Sequence, residues 1–335
     1  MPACAVQFTE RRQVDLVDVD LPEPGPGQLV VATAYSGISA GTELLAYRGE
    51  LDPDMLLDEA IGPLGGTFRY PFRYGYSCVG HVEQGTDRLP SGRLVFAFHP
   101  HQDRFVVAET DVVPLEDGTD PRQATLFPLV ETALQLALDA GPVLREPVAV
   151  LGLGAVGLLT ALLLRSAGAE VLAGEPRECR REVAGSLGIR AVGPEQLPEL
   201  VAATTSGRGV PLLVEVSGAP SALAGALALL AHEGVALVGS WYGTKPVPLP
   251  LGAEFHRRRL VLRSSQVSTV PAALASRWDV GRRRRVARRL LGELPLATLA
   301  TSEFAFSDVA SAYAAVDGGE PGLLHAALCW DGAHD

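Results

Sequence analysis

Residues 147–176, PVAVLGLGAVGLLTALLLRSAGAEVLAGEP, constrain the fold more than any other stretch of the chain. An apolar, β-branched run at 148–151 leads into Gly152, Gly154 and Gly157, spaced G-x-G-x-x-G. Residues 155–167 are almost wholly apolar, which predicts a helix covered on most sides. Gly168 suits its stop, where a left-handed residue is often needed. A second strand is predicted over 170–173, ending at Glu175. Strand, tight turn, helix and strand form the unit that binds a dinucleotide. Gly152 permits the turn, Gly154 lets backbone N–H groups approach a pyrophosphate, and Gly157 lets helix and strand pack closely. Ala155 and Val156 open the helix, whose N-terminus offers unpaired N–H groups and a partial positive charge to phosphate. Glu175 follows Gly157 at the distance where an acid accepts the ribose hydroxyls. It favours NAD, because a carboxylate repels a 2′-phosphate. Arg177, Arg180 and Arg181 just beyond it leave NADP as the alternative.

A length of 335 residues suggests two domains, and 47% hydrophobic residues are ample for their cores. The net charge of −11 argues against nucleic acid as a partner. Residues 1–10 carry no basic, then apolar, export pattern, and the apolar helix at 155–167 is too short to span a bilayer. Cys4, Cys78, Cys179 and Cys329 are scattered without a C-x-x-C, so neither a disulfide framework nor a structural zinc is expected. These features fit a cytoplasmic protein acting on a small molecule, away from membranes.

Before residue 125 the chain reads as mostly β. Short apolar runs at 3–8, 14–19, 29–34, 79–83, 93–98 and 104–108 are separated by Pro and Gly turns, which suggests a barrel or sandwich. Residues 50–75 form a long Pro/Gly-containing segment, read as a lid or as a short helix plus loop, of the kind that often borders active sites. One helix is predicted over 121–145. Strands at 212–216 and 235–239 flank a helix at 221–232, and a further strand covers 260–264. This alternation predicts a parallel sheet. A helix over 280–292 carries seven arginines between Arg277 and Arg289, read as a solvated face. A helix at 307–317, capped by Ser307, and a strand at 325–329 end the chain.

In that order the motifs resemble the medium-chain dehydrogenase/reductase family over essentially the whole length. S-G-I-S-A-G-T-E (36–43) sits where zinc alcohol dehydrogenases carry C-G-x-C-x-x-D, and Y-G-Y-S-C-V-G-H-V (74–82) where they carry G-H-E-x-x-G-x-V. The stretch 150–157 matches their glycine fingerprint. V-E-V-S-G (214–218) and L-V-G-S (237–240) look like the sheet ends beside the nicotinamide, which implicates Ser217 and Gly239. R-S-S-Q (263–266) looks like the segment holding the carboxamide, which implicates Ser265. The motifs look closest to the branch that includes bacteriochlorophyllide a dehydrogenase. The resemblance implies a GroES-like β-barrel domain (1–125 and 268–335), a Rossmann doubly wound domain (126–267), an active site in the cleft between them, and a homodimer.

The departures from the family pattern concern the metal. Its first zinc-ligand position holds Ser39. Its second holds Tyr76, with Ser77 for the adjacent glutamate. The third falls near Phe127 and Pro128, and the lobe of four structural cysteines is missing between about 84 and 105. Zinc takes about three N, S or carboxylate ligands, so neither catalytic nor structural zinc is expected. Tyr76 is the first candidate for the acid or hydrogen-bond donor that must then stabilise the oxyanion, with Ser39 and Thr42 orienting a substrate hydroxyl or water. His99 and His101, two apart on an extended segment, point the same way. They are candidates for proton transfer or substrate contact, or with Glu43 or Glu131 for a new metal site. Glu131 is a candidate for a substrate or proton-relay role near the nicotinamide. His81 mimics the family's G-H-E histidine but is read as a strand residue in or near the core. The expected activity is a zinc-independent, NAD(P)-dependent hydride transfer between nicotinamide and an alcohol/ketone pair in specialised biosynthesis. Reduction of a C=C or C=N bond, and non-catalytic dinucleotide binding, are the alternatives.

Overall fold

The computed structural model describes residues 2–330. The chain divides into two compact units, Met1–Pro128 with Val286–Asp335, and Leu129–Arg285. No helix among the described residues is long and apolar enough to cross a membrane.

In the first unit, Pro2–Glu10 and Gln13–Asp20 form an antiparallel hairpin, and the short strand Phe72–Arg73 adds to the other edge of Pro2–Glu10. A second sheet is built on the long strand Gln28–Ile38. This strand pairs antiparallel with Cys78–Gln84, with Arg104–Ala108 and with the late strand Ala326–Cys329. Two cores result. One gathers Val6, Phe8, Leu45, Tyr74, Tyr313 and Trp330, and the other gathers Leu29, Val31, Phe105 and Val107. His81 lies on the strand Cys78–Gln84 but is exposed, contrary to its expected place in or near the core. It shares the water-facing side of that strand with Glu83, two residues on.

The second unit is a six-stranded parallel sheet. From one edge its strands are Arg190–Val192, Glu170–Gly174, Pro147–Leu151, Val210–Glu215, Leu230–Val238 and Val261–Ser264. This is a doubly wound sheet whose order reverses beside Pro147–Leu151. The strand is buried on both faces from Val148 to Leu151, as its unbroken apolar run requires.

Several elements differ from expectation for local reasons. The single helix expected at 121–145 is two, Pro121–Ala124 and Phe127–Ala140. Asp120 caps the first, and the Thr125 hydroxyl turns back to the Arg122 carbonyl. Pro128 lies in the opening turn of the second, where its missing N–H costs nothing. The helix at 221–232 ends by Ala226, because the residues from Leu230 onward pair as a strand. Ser307 does not cap the last helix, which runs Val309–Gly318 with Asp308 at the N-cap.

The arginine run is not uniformly solvated. Arg283, on the helix Val280–Glu293, is 1% exposed. Its Nε donates to Glu131 Oε1 at 3.0 Å and its Nη1 to Gln135 Oε1 at 2.6 Å, and further bonds reach the carbonyls of Thr269 and Val267. Arg283 thus ties residues 267–269 to the helix Phe127–Ala140, and the second compact unit runs to Arg285. Burial raises the Glu131 pKa while Arg283 and Arg284 oppose the shift. Glu131 Oε1 is engaged by the Arg283 guanidinium in a buried pair, and this side chain does not join the Tyr76–Ser39 group.

Two predictions arise here. Arg283→Met leaves the Glu131 carboxylate buried without its main cation and should cost about 3 kcal/mol or more in urea denaturation. Adding Glu131→Leu should restore most of the loss. The second concerns acid. Burial lowers the pKa of His99 and of His325 from 6.5 to about 4. Their neutral rings favour the native state fully above pH 6.5, and that contribution is lost as pH falls through about 4. His99→Phe, which keeps a ring stacked on Phe105, should reduce the stability lost between pH 7 and 4.5 by about 2 kcal/mol.

Candidate functional site

The nucleotide cradle lies in the second unit. Gly152 has φ +91°, and a Cβ there would meet the Ser217 backbone at 2.6 Å. At Gly157 a Cβ would lie 1.9 Å from the Gly152 carbonyl oxygen, so only glycine lets the helix Ala155–Ser166 start against the turn. Gly154 is the helix N-cap, and the nearest atom to a Cβ placed there is Arg180 Nη1, at 3.6 Å. The bare backbone of Gly154, the opening N–H groups at Ala155 and Val156, and the Arg180 guanidinium form a cradle suited to a pyrophosphate.

Glu175 is 2% exposed at the end of the strand Glu170–Gly174. Its Oε2 accepts from the Leu153 N–H at 2.7 Å and its Oε1 from the Arg177 N–H at 3.0 Å. A carboxylate oxygen has lone pairs for more than one donor, so Glu175 can brace the glycine turn and still receive ribose hydroxyls. Arg181 Nη1 donates to the carbonyls of Glu175 and Pro176, at 2.8 and 2.7 Å. Arg180 Nη1 stands 3.9 Å from Glu175 Oε2.

At the carboxyl ends of the next strands, Glu215 Oε1 accepts from both the N–H and the hydroxyl of Ser217, and Tyr242 donates to Oε2. A Cβ at Gly239 would lie 2.9 Å from both Leu136 Cδ2 and Val216 Cγ1. The Ser265 N–H donates to the Val238 carbonyl and its hydroxyl to Asp139 Oδ2. Ser217, Gly239 and Ser265 are thus fixed at the ends of adjacent strands, with the serine hydroxyls already engaged by acids.

The candidate groups of the first unit form one connected cluster. The Tyr76 hydroxyl donates to Ser39 Oγ at 2.5 Å. The Ser39 N–H donates to Glu43 Oε1 at 2.9 Å, and the Glu43 N–H returns to the Ser39 carbonyl at 2.9 Å. This reciprocal turn, close to a capping box, opens the helix Glu43–Arg48. Glu43 Oε2 accepts from His101 Nε2 at 2.9 Å and from the Tyr313 hydroxyl at 2.5 Å. Glu43, His101 and Tyr313 are all fully buried, and Ser39 is 6% exposed. Burial raises the Tyr76 pKa to about 12. Glu43 adds to the shift, and hydrogen bonding with Ser39 and Thr42 opposes it. Burial and the Glu43 carboxylate together push Tyr313 well above its ordinary value, so it stays a donor.

Tyr76, Ser39, Thr42 and His101 therefore converge as one cluster, while Glu131 belongs to the Arg283 pair. The two histidines do not act together. His99 stacks on Phe105, with centroids 4.0 Å apart, while His101 turns to Glu43. The segment between them is not a regular strand, so the i, i+2 rule for side-chain direction does not hold. Tyr313 was not legible as a site residue, because it lies 270 positions from Glu43. The Ser39-to-Glu43 spacing was a usable signal for the local turn.

A zinc ion at the family's position needs ligands that this cluster lacks. Ser39 and Tyr76 offer two neutral hydroxyls bonded to one another, and the nearest carboxylate and imidazole are bonded to each other. Among the described residues, no group of three or more His, Cys, Asp and Glu side chains could hold a metal ion. The residues present do not fit that ion.

Comparison with known proteins agrees with the fold. Residues 155–278 match the family model for zinc-binding dehydrogenases. The chain is 30% identical over 243 residues to a 2-desacetyl-2-hydroxyethyl bacteriochlorophyllide A dehydrogenase of Rhodobacter capsulatus, covering 68% of this chain and 69% of that one. It is 24% identical over 347 residues to a 2-dehydro-3-deoxy-L-galactonate 5-dehydrogenase of Pseudoalteromonas atlantica, covering 97% and 98%. The 2R,3R-butanediol dehydrogenase from Bacillus subtilis shares the fold, with a TM-score of 0.79 at 18% identity over 98% and 99% of the two chains. A GroES-like β-unit, a doubly wound sheet with an intact glycine cradle, and relatives of this kind make the chain a member of the medium-chain dehydrogenase/reductase family and an NAD(P)-dependent oxidoreductase.

Proposed function

We propose that the protein interconverts a secondary alcohol and a ketone in a specialised biosynthetic step, using NAD(H) and no zinc. The observation that carries this reading is the Tyr76–Ser39 hydroxyl pair standing at the family's metal-ligand positions. The nicotinamide, when bound, supplies or accepts the hydride. What remains for the protein is to stabilise negative charge on the carbonyl oxygen and deliver a proton there. Ser39 Oγ accepts from Tyr76, which leaves its own proton available to the substrate oxygen. The phenol replaces that proton. With a pKa raised to about 12, Tyr76 is protonated throughout the neutral range yet more acidic than the alcohol formed when the alkoxide takes its proton.

The cofactor preference follows from Glu175. The carboxylate is buried and braced by two backbone N–H groups, so it cannot swing away from a 2′-phosphate. Arg181, which could have clamped such a phosphate, is engaged by two backbone carbonyls. Both observations support NAD(H).

Two outcomes are expected. Tyr76→Phe and Ser39→Ala should each lower kcat for ketone reduction by roughly 10²-fold or more, with NADH affinity unchanged by calorimetric titration. Full activity in both variants would overturn the assignment. NADH should bind more tightly than NADPH by at least about tenfold, or 1.4 kcal/mol, and Glu175→Gln should narrow that gap. A preference for NADPH in the parent would reject the reading of Glu175.

A further inference from the structure

We infer that His101 is a positioning residue that braces both members of the Tyr76–Ser39 pair through Glu43 and Gly75. The inference rests on the proposed role of that pair. It starts from a residue that touches two things at once. His101 Nε2 donates to Glu43 Oε2, and the other oxygen of Glu43 receives the Ser39 N–H. The His101 ring also lies against Gly75, the residue just before Tyr76. A Cβ on Gly75 would stand 2.4 Å from His101 Cδ2 and 2.6 Å from Nε2. Gly75 has φ +107°, which an L side chain rarely adopts. One imidazole therefore fills the space over the backbone that carries Tyr76 and holds the carboxylate that carries Ser39.

The backbone that carries the imidazole is itself held. The His101 main-chain N–H donates to the Tyr74 carbonyl and its main-chain carbonyl accepts from the Val6 N–H, while Asp103 Oδ1 and the Cys4 N–H tie the following turn to the same strand. Tyr313, on the helix Val309–Gly318, adds the third donor to Glu43, and its ring packs edge-on against Phe8. This arrangement is costly for stability alone. Among the described residues no lysine or arginine pairs with Glu43, and His101 Nδ1 is buried without a partner. An apolar cluster of the same volume would fill the site at least as well. What such a cluster could not do is fix the Ser39 N–H and the Tyr76 backbone in one geometry.

The test is a double-mutant cycle in kcat. His101→Leu removes the donor, His101→Gln keeps an N–H at the reach of Nε2, and Tyr313→Phe removes one hydroxyl while keeping the ring. In the parent, His101→Leu should lower kcat by on the order of tenfold or more. KM and NADH affinity should stay near parental values, and His101→Gln should recover much of the loss. In the Tyr76→Phe background, His101→Leu should cost less than about threefold further, because the group it positions is already gone. Tyr313→Phe should behave in the same way with a smaller first effect, and it keeps the test available if His101→Leu does not fold. Equal losses from His101→Leu in both backgrounds, or unchanged kcat in both His101→Leu and Tyr313→Phe, would reject the positioning role. The reading of Tyr76 and Ser39 fails separately, if Tyr76→Phe and Ser39→Ala keep the parental rate.

Discussion

The first unit depends on one buried carboxylate. Glu43 collects donors from residues 39, 101 and 313, so the turn before the first helix, the loop between the strands Leu94–Ala97 and Arg104–Ala108, and the last helix meet at a single group. Burial makes each of these bonds consequential. In a low-dielectric interior a satisfied network is rigid, and a missing partner is expensive. Of the two hydroxyl residues proposed to act on substrate, Ser39 is bonded to this anchor through its N–H, and Tyr76 is bonded to Ser39 in turn. Their geometry is inherited from the packing of the whole unit and not from their own side-chain preferences.

The second unit is organised by steric exclusion. Gly152 and Gly157 are places where any side chain would strike the Ser217 backbone or the Gly152 carbonyl, and the close approach they permit aims the helix opening at the cradle. Glu175 then links the turn to the next strand through the Leu153 N–H. The cradle is rigid for the same reason that the site in the first unit is rigid, because a buried carboxylate is satisfied by fixed donors. Arg283 performs the corresponding task at the far end of the sheet, with a cation in place of the anion.

At the positions where the family resemblance implies zinc ligands, this chain carries the hydroxyls of Ser39 and Tyr76. A metal acts as a Lewis acid on an oxygen. A pair of hydroxyls can act on the same oxygen only by hydrogen bonding and proton transfer, and such groups depend on orientation far more than a metal ion does. On the proposed reading, this difference accounts for the bracing around Ser39 and Tyr76. It also gives His101, which has no exposed surface through which to meet a substrate, a role through its neighbours.

Sequence by itself determined the elements whose cause is local. The glycine spacing, the apolar run of 148–151 and the acid at 175 specify the βαβ unit, because turn sterics and burial act within about thirty residues. The β-strands before residue 110 were legible in the same way, from apolar runs between Pro and Gly turns. Tertiary structure decided where charges ended up. Nothing local distinguishes Arg283 from the arginines beside it, or reveals that Glu131 lies against it. Nothing near residue 43 announces Tyr313, or that His101 and His99 part company. Burial of a polar group is settled by which distant donors reach it, and those are set by the fold as a whole.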